Sequence, residues 1–294
     1  MHRVQEAGMS QAAASRQGPN AQQAEYWNDV AGPKWVDLSE AINRQIEPLG
    51  QAAMDLAGIA PGQSVLDVGC GCGQTSLELA GRVGPEGRVE GVDLSEPMLE
   101  AARERSAGVD NLRFTAADAQ SYDLGEGSYD RIFSRFGVMF FADPQAAFVN
   151  LRRALRSGGG MAFVCWQEIG RNPFMAVPGA AVARHVELQR PADPHAPGPF
   201  AFADADRVIG LLGAAGFEKI DCQALEQPLT IGRGMTREQL VEFSLQMGPA
   251  GAAMREADDA LRGRLRDSVA EAIEPYLAED ALVMDSACWI FSAT

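Results

Sequence analysis

The chain has 294 residues, 46% of them hydrophobic, and a formal net charge of −15; that is enough for one large α/β domain with a real core and requires no second one. A surplus of carboxylates argues against nucleic acid, whose affinity depends on Lys and Arg neutralising phosphates, and disfavours anionic membrane surfaces. No apolar run reaches the length of a membrane span and the N-terminus lacks the apolar stretch of a signal peptide, so a cytoplasmic protein is expected.

Residues 1–24 are rich in Ala, Gln and Ser and read as a flexible tail. From residue 25 to 294 a single domain is expected: cap helices over 25–58, a core over 59–170, and loops, a helical lid and two strands over 171–294. Within the cap, Tyr26, Trp27 and Trp35 gather three large rings in ten residues. An indole face covers a cation well, or these rings simply pack on a sheet edge.

Val65-Leu-Asp-Val-Gly-Cys-Gly-Cys-Gly is the most informative segment. An apolar strand carrying Asp67 runs into Gly69, Gly71 and Gly73, with Cys70 between the first two. Glycines here admit positive φ and close approach of backbone N–H groups to a ligand at a helix start. A dinucleotide fingerprint would be G-x-G-x-x-G; here Gln74 stands where its last glycine would be. The next strand, Arg88–Asp93, ends in a carboxylate suited to a ribose diol. Ser95, Glu96 and Pro97 then read as an N-cap and first turn, with Leu94 and Met98 placed to flank a ring or to pack in the core. A third strand from Asn111 reaches Asp118 and Ala119. Three successive strands thus end in Asp67, Asp93 and Asp118.

A fourth strand, Tyr129–Ser134, is followed by Arg135, Phe136, Met139 and Phe140. Asp143-Pro144 opens a helix with apolar residues at Ala147, Phe148, Leu151 and Leu155; Ser157 to Gly160 are expected to end it, and Met161–Trp166 makes a buried fifth strand. Beyond Trp166 lie helix breakers as far as Pro199, then a helix over 204–215, a sixth strand toward Ala224, a helical insertion over 236–282, and a last strand over 286–293. The order implies a doubly wound, Rossmann-like sheet of seven strands, mostly parallel with an antiparallel seventh, and with ligands at the strand ends.

D-x-G-x-G-x-G with the two later acids resembles the class I S-adenosylmethionine-dependent methyltransferases. Ser134 to Pro144 with the Leu-Arg-Arg-Ala-Leu-Arg helix is similar to the type 11 branch grouped with ubiquinone and menaquinone C-methyltransferases. The resemblance implies S-adenosylmethionine as cofactor, held by Asp67, Gly69, Cys70, Gly71, Gly73, Asp93, Leu94, Met98, Asp118, Ala119, Ser134 and Trp35. It implies methyl transfer to a small-molecule acceptor at N, O, S or C by in-line displacement, giving S-adenosylhomocysteine.

Tyr26, Trp27, Phe136, Met139, Phe140 and Trp166 are the expected acceptor wall. His185, His195 and Arg135 are the only candidates for an acid–base group, and such a group is needed only if the acceptor's proton has a high pKa. No metal is expected, since the five cysteines, with Cys70 and Cys72 one residue apart, do not match usual ligand spacing. Two other readings stay open: a non-catalytic S-adenosylmethionine-binding or sensing protein, and a nicotinamide oxidoreductase, which the glycine spacing and the lack of Tyr-x-x-x-Lys weaken. Monomer and homodimer are both compatible with the sequence.

Overall fold

A computed structural model of the chain describes residues 18–188 and 192–294; the tail expected over 1–24 lies outside it as far as residue 17. Residues 18–24, expected within that tail, are described and folded. Helix α1 (Ala21–Glu25) is already formed, and Asn20 and Ala24 are buried.

The chain continues through a π-helical turn, Tyr26–Ala31, into α2 (Gly32–Asp37) and α3 (Ser39–Leu56). Gly32 is required by a close approach. A Cβ there would lie 2.1 Å from the Trp27 carbonyl oxygen and 2.4 Å from Ser95 Oγ. Ser95 Oγ donates to that carbonyl at 2.8 Å, which ties this N-terminal cap to the sheet domain.

The sheet is built from β1 (Ser64–Val68), β2 (Arg88–Asp93), β3 (Leu112–Ala116), β4 (Tyr129–Arg135), β5 (Leu155–Trp166), β6 (Asp221–Ile231) and β7 (Leu282–Ala293), in the order β3-β2-β1-β4-β5-β7-β6. β1 to β5 are parallel and β7 runs antiparallel between β5 and β6. This is the expected doubly wound architecture. All five residues of β1 are buried, as a central parallel strand covered on both faces must be.

The connecting helices are α4 (Gln74–Val83), α5 (Glu96–Arg105), α6 (Pro144–Ala154), α7 (Pro173–Val182) and α8 (Ala205–Ala214). Asp143 caps α6 by accepting from the Ala146 N–H at 3.0 Å. Ser95 does not cap α5 in this way. Asn28 does it from the N-terminal cap, its Oδ1 accepting from the Glu96 N–H at 3.0 Å, because the Ser95 hydroxyl is engaged with Trp27.

Two strand limits differ from expectation. β5 begins at Leu155, directly after α6, and Ser157–Gly160 form an irregular start to the strand where pairing with β4 jumps from Tyr129↔Leu155 to Arg131↔Gly160. Gly158 at φ +75° permits the detour. β6 and β7 are longer than expected, pairing from Asp221↔Ser292 to Ile231↔Leu282. Between them, α9 (Arg237–Ser244), α10 (Gly248–Glu256) and α11 (Asp259–Ile273) form the helical insertion. Among the described residues no helix is long and apolar enough to cross a membrane.

Candidate active site

The carboxyl ends of β1, β2 and β4 open into one cavity of about 1330 Å³, larger than the roughly 300–1,000 Å³ typical of a single-ligand pocket. The glycine loop forms its floor on one side. Gly69, Gly71 and Gly73 have φ of +67°, +56° and +80°, and each meets a different neighbour. A Cβ on Gly69 would lie 2.7 Å from the Gly137 Cα after β4. On Gly71 it would lie 2.9 Å from Met98 Cε, and on Gly73 2.9 Å from the Ala102 and Phe114 side chains. The first two glycines shape the cavity wall. Gly73 does not line it, and serves instead to seat α4 against α5 and β3.

The three strand-end acids play different parts. Asp93 accepts from the Gly71 N–H at 2.8 Å and from the Ser95 N–H at 2.9 Å, so it fixes the loop while lining the cavity. Burial pushes its carboxyl above the ordinary carboxylate value, and the hydrogen bonds from Ser95 and Gly71 oppose that. Asp118 lines the cavity further along, accepting from the Gln120 N–H at 3.0 Å; burial raises its pKa too. Leu94, Met98 and Ala119 line the same cavity, as does Cys70 next to Gly71 in the loop.

Asp67 is placed differently from the expected ligand position. It is fully buried behind the wall, where one carboxylate oxygen accepts from Thr75 Oγ1 at 2.7 Å and Ser76 Oγ at 2.6 Å. It thereby anchors the first turn of α4. Its Oδ1 has no hydrogen-bond partner among the described residues. Burial pushes its pKa up to about 6 against the two hydroxyl bonds and the field of Arg135. Ser134 is also behind the wall, donating to the Val68 carbonyl at 2.7 Å.

Arg135 lines the cavity and is held by Asn43 Oδ1 at 2.9 Å. Gly50 on α3 makes room for it, since a Cβ there would lie 2.7 Å from Arg135 Cδ. Burial lowers the guanidinium pKa, with Asp67 opposing. Phe136 follows at φ +60°, a backbone state that costs about 1–2 kcal/mol for a residue with a Cβ. The strain lays its ring on Trp166 at 4.2 Å between centroids, nearly parallel. Trp166 in turn meets Phe174 at 5.0 Å.

The opposite side is the N-terminal cap. Trp27 packs edge-on to Trp35 at 5.7 Å and to Phe140 at 5.0 Å, with Tyr26 at 5.6 Å. These four rings and Met139 all face the cavity. Every residue expected on the acceptor wall is therefore brought to one chamber.

The histidines are not. His185 is exposed and shares a 2.6 Å hydrogen bond with Ser268 Oγ, and His195 sits in a loop where its backbone N–H donates to Asp193. Neither lines the cavity, although their neighbours Val186, Glu187 and Pro194 do; the His185 ring is turned to Ser268 instead.

Several cavity residues had no sequence signal. Asn20 donates to Asp118 at 3.5 Å, and Asn20 Oδ1, Gln23 Oε1 and Gln45 Oε1 are buried acceptors with no partner among the described residues. Lys34 and Arg255 also line the cavity. Residues 18–24 looked like part of an Ala/Gln tail, and one glutamine in such a stretch is indistinguishable from the next.

The fold and site define a Rossmann-like domain in which a glycine loop and two strand-end acids share one cavity with an apolar chamber. Residues 65–159 match the family model of a methyltransferase domain. The demethylmenaquinone methyltransferase of Staphylococcus aureus is 35% identical over 102 residues, covering 35% of this chain and 42% of that protein; the chain thus spans less than half the length of the curated relatives it matches. Among solved structures, the YcgJ protein from Bacillus subtilis superposes with a TM-score of 0.55 at 17% identity, over 84% of this chain and 97% of that one. The [4+2]-cyclase SpnF gives 0.53 at 18% identity, over 90% and 95%. The family match is thus confined to residues 65–159, and the likeness to YcgJ and SpnF extends the shared fold over most of the chain. A cyclase with the same fold shows that architecture by itself does not assign the reaction.

Proposed function

We propose that the chain is an S-adenosylmethionine-dependent methyltransferase whose acceptor is a small, largely apolar molecule. The observation that carries this reading is the continuity of one cavity from the Gly69–Gly71 loop, Asp93 and Asp118 into a chamber walled by Trp27, Trp35, Phe136, Phe140 and Trp166. A cofactor end and an acceptor end share one space.

The polar groups of the cavity fit this cofactor. Asp118 with Asn20 suits an exocyclic amine, Asp93 suits a ribose diol, and Arg135 suits a carboxylate in the methionine part. Asp67 supports that part from behind the loop. Bound there, S-adenosylmethionine supplies an electrophilic methyl group to a nucleophilic N, O, S or C of the acceptor. Trp27 and Trp35 cover the site and exclude water, and their faces favour a cation beneath them. With both histidines outside the cavity, the chain's contribution is positioning and desolvation rather than base catalysis. Buried free cysteines, Cys70, Cys72, Cys165 and Cys288, support a reducing, cytoplasmic setting, and the net charge supports partners other than nucleic acid.

Calorimetric titration of the full chain with S-adenosylhomocysteine and with NADH, followed by transfer of labelled methyl from S-adenosylmethionine to a panel of phenols, amines, thiols and quinone precursors, tests the reading. Binding of the homocysteine product and labelling of at least one acceptor are expected. Binding without any labelling would leave a sensing protein, and preferential NADH binding would overturn the reading.

A further inference from the structure

The cavity mouth, where Arg255 is exposed and Lys34 half-buried, carries two cations that the cofactor does not need. Lys34 reaches it from α2 and Arg255 from α10, 221 positions later in the chain. They are close enough that Arg255, after burial, is a cause of the lowered Lys34 pKa. Lys34 Nζ donates to the Gln246 carbonyl at 3.1 Å, which leaves two of its three N–H groups free for other acceptors. Arg255 has no hydrogen bond or ion pair with any described residue.

This pairing runs against the composition. The chain has 40 carboxylates to 25 Lys and Arg, and arginines nearby on α11 are paired, Arg266 with Glu242 and Arg262 with Asp259. The cavity carboxylates Asp93 and Asp118 lie in the cofactor half. Glu187, also on the cavity, forms no ion pair with either cation among the described residues. Two like charges held together at an apolar mouth repel each other, and an anion between them turns that repulsion into two charge-assisted hydrogen bonds.

We propose that the methyl acceptor is an amphipathic anion, whose carboxylate, sulfonate or phosphate is received by Lys34 and Arg255 while its apolar body reaches the Phe136–Trp166 stack. The proposal rests on the methyltransferase reading above. It assigns Arg135 to the cofactor and the Lys34–Arg255 pair to the acceptor, so that the two anionic groups are received at separate places. Lys34 is one of only two lysines in the chain, the other being Lys219.

The test is calorimetry on the full chain saturated with S-adenosylhomocysteine, using two matched pairs of probes: 2-naphthoate with 2-naphthamide, and octanoate with octanamide. At least one acid should bind about tenfold more tightly than its amide, the scale of a charge-assisted contact. In the Lys34→Met/Arg255→Gln variant that preference should fall to about unity with amide affinity retained, and Lys219→Met should keep the full preference. Acids that bind no better than amides, or not at all, overturn the proposal, as does a preference that survives in the double variant. Failure of S-adenosylhomocysteine itself to bind would instead defeat the methyltransferase reading, so the two failures are distinguishable.

Discussion

Replacing Asp67 with Asn should make the protein more stable at neutral pH than at acid pH, relative to wild type. The carboxyl is fully buried and titrates near 6 in the folded chain, against an ordinary 3.8. Between those values the folded state holds a proton that the unfolded state has lost, so wild-type stability falls as pH rises through the window. At about 1.36 kcal/mol for each pH unit of separation, the loss amounts to about 3 kcal/mol once the pH is above 6. The amide introduced by Asp67→Asn can still accept from Thr75 and Ser76 through its oxygen but carries no titrating charge. The stability difference, variant minus wild type, should therefore rise by about 2–3 kcal/mol between pH 4.5 and 7.5 in urea unfolding series. Other titrating groups cancel in that difference. A difference constant to within about 0.5 kcal/mol over that range would refute the placement of a strained, ionised carboxylate behind the loop. The same variant should bind S-adenosylhomocysteine more weakly, the mark of a charge retained for a ligand at the cost of stability.

Gly69→Ala combines positive φ with a Cβ 2.7 Å from the backbone of Gly137; it should lower stability by about 2 kcal/mol or more and weaken S-adenosylhomocysteine binding at least tenfold, both read by calorimetry. The His185→Ala/His195→Ala double variant should keep any labelled methyl transfer to within about twofold, since neither ring reaches the cavity; loss of transfer with an unchanged melting temperature would restore a histidine base.

Much of the cofactor side was legible in the sequence because it is local. An apolar strand, a turn and a capped helix lie within about thirty residues of each other in a βαβ unit, so Asp93 and Gly71 can be placed from spacing alone. The role of Asp67 was not legible in this way. Whether a carboxylate at a strand end points into a cavity or back toward Thr75 and Ser76 depends on how α4 is seated, which Gly73 sets through contacts with Ala102 and Phe114. Still less legible was the mouth. Lys34 meets Gln246 across 212 positions, and no periodicity in either segment records the other. The start of β5 was misread for another reason: three successive glycines read as a helix terminator, yet one at positive φ serves equally well to carry a strand through an irregular beginning.

The sheet order has a consequence for assembly. β6 is made before β7 but pairs with the rest of the sheet only through it, so during synthesis β6 has helix α3 to pack on but no strand partner until some fifty residues of insertion have been produced. α9, α10 and α11, with Arg255 on α10, pack on the earlier helix α7 and on one another. The ends of the insertion are then joined by eleven residue pairs, from Asp221↔Ser292 to Ile231↔Leu282. A slip of one residue in that zipper would turn every β7 side chain to the wrong face. The register of the last two strands thus fixes where the insertion leaves the sheet and where it returns.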